Sequence, residues 1–598
     1  MVKTISENWD LKSLYSKTGL NTIEGKIQEL SGMMSRVSES IDTLDMDKSS
    51  LHKELVNFLQ DMQQVMSGWL EIDEYLICLH SEDVENDLAS QLLEESALLK
   101  QKLQSIQIKL DQLLISIPES GWSLFILQEE VSSYRFYLEE RRRLAQDKLS
   151  SDTEQLINQL SVNGFGGWEQ LYQQLVSNLK VPIKKDGQEK NVSIGEALDK
   201  AMNSTDRSIR QETVKSINEV CRNNADIFAS VLNRIAGFRL DIYKNRGWTN
   251  ILKEVLDTNR IQETTLHTMV ATINQHRDLS RRFIERKAQL EKIDKASWYD
   301  TYSPTFRTKA KVSYNEAVEI IVKQFFQFSD KLGKFAERAF NEGWIEVEDR
   351  DDKAMGGFCA SMPVAKESRV FLTFRGNYQD VVTIAHELGH AYHNYILHEE
   401  PAFAQEKGTS VAETASTFME NLVLDAVIDQ ATDKDEKLAL LEMKISSGLK
   451  YLGMVPNMFQ FELDFYRKRQ KGLVTADELV NVMERVERDL YGNTIDEVNP
   501  YMWMVIGHFY STEQAFYNIP YTIGYLFSNG IYSLSKQNGS KFSEQYDELL
   551  KNSGKMTVEQ LAETYLDQDL TNRKYWDDSI KPIRDAVEQY LKLTEDIT

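Results

Sequence analysis

Cysteine is scarce in this chain of 598 residues, with only Cys78, Cys221 and Cys359. Three thiols without paired spacing exclude a disulfide framework and a cysteine-based metal site, and none carries a local nucleophile signature. Long apolar runs are missing too: nowhere does one reach the roughly 18 residues that suggest a membrane-spanning helix. The opening residues, Met1 to Asn8, lack a basic region followed by an apolar one. Positive charge is in deficit, 69 Lys and Arg against 93 Asp and Glu, and the formal net charge of -24 argues against nucleic acid or anionic membrane as a partner. No short-period internal repeat is visible. The expectation is a soluble, cytoplasmic protein, large enough for two or more domains and a cleft between them, with no obligate protein partner evident.

Histidine is scarce as well, which makes its distribution informative. Of nine histidines, His386, His390, His393 and His398 fall within thirteen positions. In the run His386-Glu387-Leu388-Gly389-His390 two imidazoles stand one helical turn apart with a carboxylate beside the first, the arrangement that binds a zinc ion and activates a water. By chance such a pattern would appear on the order of 0.01 times in a chain of this composition. Val381, Ile384, Ala385, Leu388 and Ala391 recur at helical spacing, so the helix has an apolar face that must pack against something. Asn377 and Asp380 supply an N-terminal cap, and Pro401 a stop.

A catalytic zinc site usually takes three protein ligands and keeps a position for water. The segment Thr409 to Glu420 places Glu413, Thr417 and Glu420 on one helical stripe. Glu413 is the candidate third ligand, although Ser410 with Glu413 also fits a capping box. Glu420 either orients a ligand imidazole through its second nitrogen or is a solvated helix carboxylate. His393 reads as a cleft or helix-surface residue, since a fourth ligand would fill the water position.

The motif run, with Gly408-Thr409 and Glu413-Thr414-Ala415-Ser416-Thr417-Phe418-Met419-Glu420, resembles the M3 family of metallopeptidases, in its oligoendopeptidase F branch. The likeness continues in Trp344-Ile345-Glu346-Val347, Gly356-Gly357-Phe358-Cys359-Ala360-Ser361 and Phe371-Leu372-Thr373-Phe374, and covers roughly residues 160 to 590. It implies His386, His390 and Glu413 as zinc ligands and Glu387 as general base, one zinc per chain, and oligopeptides as substrates. Further downstream lie His508, Tyr517, Tyr521 and Tyr525. By themselves they read as aromatic packing; the resemblance makes His508, Tyr517 and Tyr521 substrate-binding and transition-state donors, with Tyr525 in reserve.

The pattern along the chain predicts a mainly α fold: two helical domains enclosing a deep substrate channel, with a small β-sheet near the zinc helix. Apolar periodicity marks helices through residues 10 to 154, at 195 to 285, at 314 to 342 and from the zinc region to Leu593. Strands are expected near 344 to 375, with Arg369 to Phe374 the clearest, and near 180 to 193. Turn residues between 162 and 190 suggest an N-terminal helical domain at 1–190 and a catalytic domain at 191–598. The function this supports is hydrolysis of internal bonds of short unfolded peptides. The rivals are an enzyme that removes terminal residues, as a carboxypeptidase or dipeptidase does, and a non-catalytic helical metal-binding interaction protein.

Overall fold

The computed structural model describes residues 5–15, 22–44, 51–185, 188–308 and 310–597. The fold is mainly helical, as the periodicity predicts, with two small sheets. No helix among the described residues is long and apolar enough to cross a membrane. The chain forms two compact units, each drawn from three stretches: Met1–Lys148, Ala310–Asp429 and Leu534–Gln568 in the first, Leu149–Lys309, Gln430–Ser533 and Asp569–Thr598 in the second.

In the first unit, helices Ile23–Asp42, Leu51–Glu82 and Asp87–Ser116 pack on one another. Helix Leu51–Glu82 buries Leu55, Leu59, Met62, Val65, Ile72 and Leu76, a three-and-four spacing that keeps one stripe in the core. Helix Asp87–Ser116 is started by Asn86, whose side chain accepts from the Ala89 N–H at 3.0 Å, and gives way before Pro118.

These helices share their core with a three-stranded sheet of β3 (Ile345–Glu346), β4 (Phe358–Met362) and β5 (Glu367–Phe371) in the order β3-β5-β4. β3 runs parallel to β5 and β4 antiparallel to it, so β4 is an outer strand. β5 starts two residues earlier than its alternation suggests, because Met362 already pairs with Glu367 across a turn in which Lys366 takes a positive φ of 56°. Beyond Phe371 the backbone keeps bonding to the first strand's neighbourhood, Phe374 N–H to Val347 O at 2.9 Å. Helix Tyr378–Leu397 packs against β4 and β5, and Asn377 caps it as expected, accepting from the Asp380 N–H at 3.0 Å.

The second unit is built on helix Arg207–Asn245, whose 39 residues span roughly 58 Å. It packs against the hairpin of β1 (Lys180–Lys185) and β2 (Gln188–Ser193), and helices Val455–Arg469 and Ala476–Tyr491 join it. Residue 190 lies inside β2, so a division there would separate two paired strands. Compactness instead places the first change of unit after Lys148 and returns the chain to the first unit at Ala310.

Candidate metal centre

The metal candidates all stand on the first unit. His386 and His390 lie four apart on helix Tyr378–Leu397, which turns both imidazoles to the same side. Glu413 occupies a one-residue break between the short helix Thr409–Ala412 and helix Thr414–Gln430. The two segments approach closely at Gly389: a Cβ built there would lie 2.5 Å from Ala415 O. Only a glycine between the two histidines lets the backbones come so near.

Glu413 Oε2 lies 3.4 Å from His386 Nε2 and 3.5 Å from His390 Nε2. A tetrahedral ion with bonds of about 2.1 Å has ligand-to-ligand edges of about 3.4 Å, so this donor set matches zinc in both chemistry and spacing. The same Glu413 oxygen accepts from Ser416 Oγ at 2.7 Å. Its carboxylate therefore faces the histidines, in keeping with the ligand reading. Ser416, which fixes that orientation, had no signal in the sequence beyond being three residues on.

On the other side of His386, Nδ1 lies 3.3 Å from Glu420 Oε2. A carboxylate on the second nitrogen sets the tautomer and leaves Nε2 for a metal. Burial disfavours a charged His386, but the hydrogen bond and charge of Glu420, with Glu387 and Glu413, outweigh it and push the imidazole up to about 9. Burial holds His390 low. Glu387 is buried, and burial pushes its carboxyl up to about 7, against the pull of His386. Two imidazoles crowded by three carboxylates make a site where a divalent cation is a better counter-charge than protons.

These side chains line a cleft of about 700 Å³ within the first unit. Helix Leu51–Glu82 supplies Met66, Trp69 and Leu70, and the outer strand β4 supplies Phe358, Cys359 and Ser361. Cys359 is a thiol that burial raises well above its ordinary range, so it is protonated and no nucleophile, as the sequence suggested.

His393 departs from its expected place at the cleft or helix surface. It is fully buried, with Nε2 2.8 Å from Ser553 Oγ. It shares the stripe of the two ligands, but lies about 10 Å further along the helix axis than His386. There the helix is covered by Phe542–Lys551 and the turn after it.

His508, Tyr517 and Tyr521 gather in the second unit. The His508 ring is 4.6 Å from that of Tyr517 and 5.9 Å from that of Tyr521, and its Nδ1 lies 2.6 Å from Asn518 Oδ1. Asn518 is a positioning partner that sequence reasoning missed. The reserve candidate Tyr525 is buried and stacks on Tyr451 at 4.4 Å.

Comparison with known proteins decides the family. The model described as "Peptidase family M3" matches residues 201–581, and that described as "Oligopeptidase F" matches 114–180. This chain belongs to peptidase family M3. It is a metallopeptidase of the oligoendopeptidase F branch, which removes the non-catalytic reading. The oligopeptidase PepF of Bacillus subtilis is 24% identical over 448 residues, spanning 73% of this chain and 66% of the relative. An oligoendopeptidase F homolog of Borreliella burgdorferi is 23% identical over 98% of this chain and 99% of its own. A peptidase structure from Chlamydophila abortus has the same fold, with a TM-score of 0.84 at 19% identity over 98% of both chains.

Proposed function

We propose that this M3 peptidase is a zinc-dependent oligoendopeptidase that hydrolyses internal bonds of short, unfolded peptides. The observation that carries this reading is the cluster of His386, His390 and Glu413, with zinc-sized spacing from Glu413 to both imidazoles, opening with Glu387 into one cleft.

His386, His390 and Glu413 would hold the zinc, one per chain. When bound, the ion supplies Lewis-acid activation of a water and of the peptide carbonyl. Glu387 takes the proton of the attacking water on its carboxylate and delivers it to the leaving amine nitrogen. Glu420 keeps the His386 ring in register through Nδ1, and Ser416 does the same for Glu413. No acyl-enzyme is needed, because the attacking group is a water and the cleft thiol Cys359 is held protonated.

An extended peptide suits this cleft. β4 is an outer strand whose residues line the cavity, and a peptide strand can pair with such an edge by main-chain hydrogen bonds. A folded protein would first have to unfold locally to offer one. His508, Tyr517 and Tyr521 act as hydrogen-bond donors toward the developing oxyanion. Support for them is the family resemblance of their motif and the gathering of the three rings.

The test is to follow cleavage positions by mass spectrometry on peptides of graded length, with the zinc-loaded enzyme, after chelation and after zinc readdition. One peptide is also offered inside a stable folded domain. Internal cuts that vanish with chelator and return with zinc are expected, with the embedded peptide spared. E387Q should retain its zinc and lose at least about 100-fold in turnover. Release of terminal residues alone would establish the carboxypeptidase or dipeptidase reading, and full turnover by E387Q would remove the general base.

A further inference from the structure

The wall of the cleft is acidic. Glu74, Glu387, Glu406 and Glu413 line it, and against them stands a single lysine or arginine among the described lining residues, Lys407. Lys407 immediately precedes Gly408, the N-terminal cap of the helix that leads into Glu413. Its side chain is half-buried and has no hydrogen bond or ion pair among the described residues. Of the acids just upstream of it in sequence, Glu400 is paired with Lys555 and Glu399 with Lys366.

Two neighbouring groups act on Lys407 electrostatically, Cys359 and Glu413. Neither is a lasting partner. Cys359 is a protonated thiol, and Glu413 gives its charge to the metal whenever zinc is bound. The zinc-loaded enzyme is thus left with a partly desolvated ammonium, which costs free energy until an anion reaches it. Glu74, another acid of the cleft wall, is pushed up to about 7 by burial and by Asp73. An ammonium held in reserve on the wall of a peptide-binding cleft is a receptor for a carboxylate.

We infer that Lys407 is a specificity-determining residue that binds a carboxylate of the peptide substrate, either its C-terminus or an aspartate or glutamate side chain. The inference rests on the peptidase reading above and adds to it the class of peptide the cleft selects. A C-terminal anchor would fix how far from the chain end the bond is cut, whereas a side-chain anchor would fix a sequence preference.

Binding separates this inference from the peptidase reading. Zinc-loaded E387Q is titrated with one peptide as free acid, as C-terminal amide, and as amide with glutamate placed at successive positions, and Kd is read by calorimetry. The free acid, or the amide with glutamate at one position, should bind roughly tenfold tighter than the plain amide. That advantage should disappear in E387Q/K407M and return in E387Q/K407R, with zinc content equal in all three. Which peptide shows the advantage identifies the source of the carboxylate. Equal Kd for every peptide, no binding at all, or an advantage that persists in E387Q/K407M overturns the inference. Loss of zinc in E387Q/K407M also overturns it, since Lys407 would then serve Glu413. Failure of the parent enzyme to cleave the plain amide counts against the peptidase reading alone.

Discussion

A methyl group at Gly389 is the sharpest test of how the metal site is assembled. An isolated helix would gain from it, since alanine is favoured over glycine by about 1 kcal/mol in a helix interior. The packing predicts the opposite sign. The new Cβ would lie 2.5 Å from Ala415 O, 2.5 Å from Ser416 Cα and 2.7 Å from Ala415 C. All three are backbone atoms, so no side-chain rotation relieves the overlap. Reaching an ordinary contact of about 3.4 Å requires the segments to part by about 0.9 Å, and overpacking of this kind costs about 1 to 3 kcal/mol. The displaced segment begins one residue after Glu413, whose carboxylate oxygen stands 3.4 and 3.5 Å from the two imidazole nitrogens. Two donors bound to one zinc at about 2.1 Å can be no more than about 4.2 Å apart, and then only on opposite sides of it. Parting by about 0.9 Å exceeds that limit, so G389A should lose zinc affinity at least tenfold in addition to its packing cost. Melting of the metal-free protein reads the first effect, and a chelator-competition titration reads the second. A metal-free G389A that melts at or above the parent, with an unchanged zinc Kd, would refute the close approach as the device that completes the site.

Three further perturbations probe different links. E420Q keeps a hydrogen-bonding group beside His386 Nδ1 but removes its charge, so zinc affinity should fall about 10-fold to 100-fold while the fold survives; competition titration reads this, and an unchanged Kd denies Glu420 its orienting role. H508A, Y517F and Y521F, assayed in parallel on one peptide, should raise the barrier by about 2 to 4 kcal/mol for whichever donor meets the oxyanion, seen in kcat more than KM; unchanged kcat in all three would turn attention to Tyr525. Glu462 and Glu487 are pushed up to about 8 by burial while accepting the Phe516 and Asn499 N–H groups. Their folded pKa lies above the unfolded one, so their contribution is fully present below the unfolded pKa and is lost as pH rises toward 8. E462Q/E487Q should therefore flatten the fall in Tm across that window, and parallel curves for variant and parent would count against it.

The parts of the site legible in the sequence are those whose geometry is local. His386 and His390 meet because four residues make one helical turn, and Glu387 follows them because it is covalently next in line. Glu413 was accessible through chemistry, as two imidazoles need an acid nearby. The long helices of the first 148 residues were accessible through periodicity, although Leu98 and Ile115, two apolar residues of helix Asp87–Ser116, are exposed. Whatever depends on which surfaces meet was hidden. The turn signals between 162 and 190 fall at a helix break around Phe165 and between the paired strands β1 and β2, but a turn does not say to which core its flanks belong. That is decided by pairings such as Trp9 with Phe371, 362 residues apart in sequence and 5.6 Å apart in space.

His393 shows the same limit at the scale of one helix. Periodicity places it on the stripe of the two ligands, and the stripe is indeed shared. Its fate is set by what covers the helix about 10 Å beyond His386, where Ser553, 160 residues away in sequence, takes the imidazole out of the cleft. Lys407 is the converse case. Sequence gives no reason to distinguish it from other lysines, because its significance lies in lacking a described partner on a wall of carboxylates. Periodicity reports the direction in which a side chain leaves its helix, but only the assembled neighbours determine whether it becomes a ligand, a buried hydrogen-bond partner or a charge held for a substrate.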